Sequence, residues 1–113
     1  MGISSDKVLA LGAKTKTVAL AADNTAITLA ADETVLLLSS DDTTAANRTF
    51  TLVASALVGH ILTIIFTSGT STTAQLADTS IQKLSAAWEP VQYGTLTLIS
   101  DGTNWIETAR AAN

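Results

Sequence analysis

Cysteine is absent, so no disulfide and no thiolate metal site can form, and stability has to come from packing. Charge is scarce as well: charged residues make up 14% of the 113, against about 25% in an average soluble domain. The six basic residues are scattered and outnumbered by ten acidic ones, which leaves a net charge of −4 and no cationic stripe to neutralise phosphates. Nucleic acid is therefore excluded as a partner. The longest apolar stretch, Leu52 to Phe66, is shorter than the ~20 residues a membrane span needs. It is also interrupted by Ser55, Gly59, His60 and Thr63, so no membrane partner is expected. The N-terminus has no long apolar region followed by a small-residue cleavage pattern, and its Met-Gly start carries Asp6 where a myristoylation motif wants Ser or Thr.

What the chain does have is apolar bulk: 47% of its residues are hydrophobic. A chain of this length builds one core, and this one has too little charge to coat that core as a monomer. Excess apolar surface in a soluble protein marks an interface, so permanent self-association or docking onto a large partner is expected.

Short extended runs separated by polar turns set the fold class. The stretch "LAADNTAITLAADETVLLL" says nearly the same thing twice, at Leu20 and again at Leu29. Each copy gives an Asx-rich turn followed by a Thr-punctuated apolar strand. A nine-residue repeat indicates a β-solenoid only if it continues, and this one stops after two copies without the glycines of calcium-binding arrays. The runs "TVLLLS" and "GHILTIIFT" are nearly continuous in apolar residues, which predicts strands covered on both faces. "RTFTLV", "AQLA" and "SIQKL" add shorter strands, and "YGTLTLIS" with "NWIETA" forms the strongest hairpin signal. About nine short strands predict an all-β domain, a small antiparallel β-sandwich or jelly roll, over residues 15–113. Residues 1–14 read as an N-terminal arm whose Ile3, Val8, Leu9 and Leu11 are the candidate contacts to another subunit or partner.

Chemistry is harder to assemble. His60 is the single histidine, and no Gly-x-Ser-x-Gly elbow accompanies it. The pairs Asp32-Glu33 and Asp41-Asp42 lie next to each other on extended backbone, which sends their side chains to opposite faces rather than to one cation. No enzymatic activity, metal or other cofactor is expected. Trp88 and Tyr93 are candidate surface aromatic contacts able to stack on a sugar, while Trp105, just beyond a turn, is expected to plug the core. Asp101-Gly102 is expected to supply the positive backbone angles of that turn.

The stretch "GTLTLISDGTNWIETAR", residues 94–110, has an alternating strand leading through Asp101, Gly102 and Thr103 to Trp105 and a closing strand with Glu107. It resembles the C-terminal ends of β-rich virion proteins of tailed phages: head fibres, capsid decoration proteins and tail-fibre tips. "GHILTIIFTSGT" followed by a Thr-rich loop is similar to a further module of the same proteins. The resemblance implies a homotrimer on the outside of a virion, made in the host cytoplasm, with the major capsid protein as partner. A fibre needs a shaft or a longer adhesin than this chain contains, so the resemblance implies a capsid decoration, or cement, protein. The alternative is a head-fibre or tail-fibre tip that binds a host-surface carbohydrate.

Overall fold

The computed structural model describes residues 13–40, 48–68 and 74–112. Within them the chain is all-β, with nine strands in two sheets and no helix. The strands are β1 (Lys14–Leu20), β2 (Thr25–Ile27), β3 (Glu33–Ser40), β4 (Arg48–Leu52) and β5 (Ile61–Phe66), then β6 (Ala74–Leu76), β7 (Gln82–Lys83), β8 (Thr95–Ser100) and β9 (Trp105–Ala111). The larger sheet runs β1-β3-β5-β8-β9-β7, and the smaller runs β2-β4-β6. Ile3, Val8, Leu9 and Leu11 lie outside the described residues, and Lys14 already belongs to β1.

The expectation of antiparallel sheets is corrected. Five of the seven strand pairings are parallel, and only β5-β8 and β8-β9 are antiparallel. From β1 to β6 the chain alternates between the two sheets, each strand lying parallel to the one two positions before it. This is the winding of a short β-coil, against the inference drawn from the early end of the repeat. The doubled "LAAD" explains why. Its first copy turns the chain out of β1 towards β2 in the small sheet, and its second returns it to β3 in the large one, so two copies complete a full rung.

Local chemistry fixes both corners. In the first, Asn24 takes a left-handed φ of 59°, which Asn tolerates better than most residues. Its amide donates to Thr49 Oγ1 of the next rung at 2.9 Å, and that hydroxyl is also 3.2 Å from Asn24 Oδ1. In the second, Glu33 Oε1 accepts from the Ala30 amide at 2.7 Å while the Glu33 amide donates back to Ala30 O at 2.9 Å. The Asx-Thr polarity of the repeat is thus spent on satisfying turn backbone, which would otherwise lose stability when removed from water.

The core lies between the sheets. Leu36 and Leu38 of β3, Leu62, Ile64 and Phe66 of β5, and Leu96 and Leu98 of β8 point inward from the large sheet and are fully buried. Ile27, Phe50, Leu52, Ala74 and Leu76 meet them from the small one. Period-two alternation then places Val35, Leu37, Thr63, Ile65, Thr95 and Thr97 on the opposite face of the large sheet. None of these six is buried. Among the described residues, the strands read from "TVLLLS" and "GHILTIIFT" as doubly covered are covered on one face only.

Candidate functional site

The closing hairpin is built from Asp101, Gly102 and Trp105, but with a different turn from the one expected. Gly102 has a φ of 100°, whereas Asp101 is not left-handed. Asp101 acts through its side chain: Oδ1 accepts from the amides of Thr103 at 2.9 Å and Asn104 at 2.7 Å, and from Thr103 Oγ1 at 3.1 Å. Those bonds, the Thr103 amide first, hold its carboxyl below the usual carboxylate range. Trp105 is fully buried as expected, with its indole N–H donating to Val53 O at 3.0 Å.

His60 packs edge-on against Trp105, with ring centroids 5.1 Å apart. Its Nε2 lies 2.7 Å from Glu33 O and its Nδ1 lies 3.1 Å from Ser55 Oγ. The group that orients the imidazole is therefore a main-chain carbonyl of β3 rather than a carboxylate. This arrangement ties the start of β5 to β3 and to the preceding turn, which accounts for a buried histidine without any reaction. Among the described residues no cluster of three or more His, Cys, Asp or Glu side chains could hold a metal ion. No helix among them is long and apolar enough to cross a membrane.

The aromatic pair divides. Tyr93 is exposed, with a left-handed φ of 65° and its amide held by Phe66 O at 2.6 Å. Trp88 is not a surface contact: it is buried, bridged to Leu76 through two main-chain hydrogen bonds of 2.8 and 2.9 Å. Its outer rim borders a cleft of about 270 Å³ lined also by Pro90, Val91 and Arg110. That cleft offers no free cation. The Arg110 guanidinium donates to both carboxylate oxygens of Glu107, at 2.7 and 2.8 Å, and to Ala86 O at 2.8 Å. Glu107 also accepts from the Ser85 amide at 2.9 Å. The Arg110 bonds, aided by Ser85, lower its pKa from 4.5 to about 2.

The largest unexplained feature is the outer face of the large sheet. One row across it reads Thr17, Leu37, Ile65, Thr95, Ala111 and the next reads Thr15, Val35, Thr63, Thr97, Ala109. A third, Ile61, Ile99 and Ile106, lies at the end of the sheet where the exposed Leu57 and Val58 form a turn. The first two rows carry no charged residue, whereas the third continues into Lys83 of β7, which pairs with Ile106, and at its other end into the Glu33–Lys14 pair of β3 and β1. The outer face of the small sheet is different, since it presents Thr49, Thr51 and Gln75, with Gln75 bonded to Glu89 at 2.8 Å. The apolar runs of β3 and β5 are the sequence signal for this surface, although they suggested burial within the chain. No protein-family model matches the chain, and no curated protein matches it significantly in sequence.

Proposed function

We propose that this chain is a structural virion protein: a capsid decoration protein that binds and stabilises the head shell of a tailed phage as a homotrimer. The observation that carries the reading is the outer face of the large sheet, whose two middle rows hold valine, leucine, isoleucine, threonine and alanine and no charge, on a chain with only 14% charged residues. Such a face is the hallmark of a surface that meets protein. The resemblance of residues 94–110 to virion proteins supplies the kind of particle.

Decoration of this kind needs no bond-making. A trimer that bridges neighbouring capsomers adds apolar and hydrogen-bonded contact where the shell would separate under the pressure of packaged DNA, and many weak sites repeated over a shell gain avidity. The apolar N-terminal stretch with Ile3, Val8, Leu9 and Leu11 supplies contacts to the major capsid protein. Exposed Tyr93 beside Val91 favours a second reading, a fibre tip that stacks on a host-surface sugar. Particles depleted of the protein separate the two. Early release of DNA on heating with normal adsorption supports decoration, and normal heat resistance with lost adsorption refutes it in favour of the fibre tip.

A further inference from the structure

We infer that the open edge of the small sheet, along β2, is a strand-accepting surface whose occupant is the chain's own residues 7–9, laid parallel to β2 as one more half-turn of the coil. This holds whether or not the chain belongs to a virion. The first ground is the repeat. Leucine recurs at nine-residue intervals at Leu11, Leu20, Leu29 and Leu38, so the period behind the doubled "LAAD" begins one copy earlier than those letters show. Leu20, Leu29 and Leu38 are all buried. The third residue after Leu11 is Lys14 and the third after Leu29 is Asp32, and the fold stacks these two places on each other. The Lys14 amide donates to Asp32 O at 2.6 Å, and Lys14 Nζ lies 3.3 Å from Asp32 Oδ2. The corner that leads into β1 therefore lies on the corner that leads from β2 into β3. The same correspondence sets Leu11 beside the buried Leu29, and Lys7, Val8 and Leu9, which are outside the described residues, beside Thr25, Ala26 and the buried Ile27.

The second ground is the edge itself. β1 and β2 are the outermost strands of their sheets at this end of the coil, and an edge strand presents a row of unpaired amides and carbonyls. β1 carries Lys14 and Lys16, and Lys16 pairs with the inward-pointing Leu36. A charge on the inner side of an edge strand is one of the ways natural sheets block further pairing. β2 reads Thr-Ala-Ile and has neither charge nor proline to block it. Ile27 O accepts from the Val53 amide at 2.8 Å, so Ile27 bonds towards β4 and alternation turns the amide and carbonyl of Ala26 to the open side. With Val8 opposite Ala26 in a parallel ladder, the Ala26 amide donates to Lys7 O and Ala26 O accepts from the Leu9 amide. Leu9 then points inward with Ile27, and Val8 points outward with the exposed Ala26.

The third ground is reach. Residues 10–13 join Leu9 to the start of β1, and at ~3.3 Å per residue they span up to ~13 Å, more than the ~10 Å between packed sheets. The coil thus claims Leu9 and Leu11 for its own core, and of the apolar residues of the arm it leaves Ile3 and Val8 to a partner.

Amide hydrogen exchange followed by NMR on the full chain tests this, with the variants Leu9→Asp and Val8→Asp. In the native chain the Ala26 amide should exchange on the order of 100-fold more slowly than an unstructured amide, at every protein concentration. Val8→Asp should leave that protection in place. Leu9→Asp should abolish it while the amides of Leu36 and Ile64 stay slow, which shows that the body remains folded. An Ala26 amide that exchanges freely in the native chain overturns the inference, because the edge is then open. Protection that disappears on dilution assigns the edge to a second copy and overturns it as well. Protection that survives Leu9→Asp, or is lost equally in both variants, overturns the assignment of residues 7–9 and their register.

Discussion

Replacing Glu107 by Gln keeps the shape of the side chain and removes its charge, and the consequence should depend on pH. Glu107 and Arg110 of β9 together grip the 85–87 loop through Ser85 N, Ala86 O and Ala87 O. The folded chain holds the Glu107 carboxyl at about 2, against 4.5 ordinarily, chiefly through the Arg110 hydrogen bonds. A depressed carboxylate stabilises the fold above its unfolded pKa and loses that contribution as pH falls through the folded value, here between 4.5 and about 2. Taken alone the difference sets an upper bound of roughly 3 kcal/mol. The Arg110 side chain is 31% exposed and that of Glu107 only 10%, so partial screening on the arginine side brings the expected figure to about 2 kcal/mol. Urea unfolding of native and Glu107→Gln protein at one fixed protein concentration should show that gap at pH 7 and little of it at pH 2. An equal gap at both pH values, or none at pH 7, would refute the argument.

Trp105→Ala should cost roughly 3 to 5 kcal/mol, because it empties a fully buried site and strands the Val53 carbonyl. Thermal melts measure it, and a near-native melting temperature would show that the residue is not a core anchor. Gly102→Val should cost more than the ~1 kcal/mol of forcing a β-branched residue to positive φ. Its new Cβ would stand only 3.1 Å from Val58 Cγ2, so an unchanged melting temperature would mean the turn rebuilds itself.

Strand existence was legible in the sequence because period and composition agreed: the alternation of "TLTLIS" and "NWIETA" became β8 and β9, and "TVLLLS" and "ILTIIF" became β3 and β5. Strand direction was not, since a half-buried strand reads the same whichever way its neighbour runs. What decided it was the role of the repeated "LAAD" as a corner between sheets, a tertiary property. The apolar face was visible as surplus in the runs of β3 and β5, but pattern alone cannot say whether the second cover comes from the same chain or another. Trp88 was misplaced because its burial depends on a bridge to Leu76, twelve positions away and not announced by any motif. The Glu107–Arg110 pair was also hidden. Three positions apart on a regular strand puts side chains on opposite faces, and only the bulge opposite Thr97 and Leu98 brings the two together.

Small-angle X-ray scattering from the purified chain tests the central claim most directly, because it reads mass and arrangement at once. The single chain has a radius of gyration of 14.0 Å. Forward scattering for three chains, with a radius of gyration above 14.0 Å, is the predicted result. A persistent 14 Å particle with the mass of one chain would contradict the account.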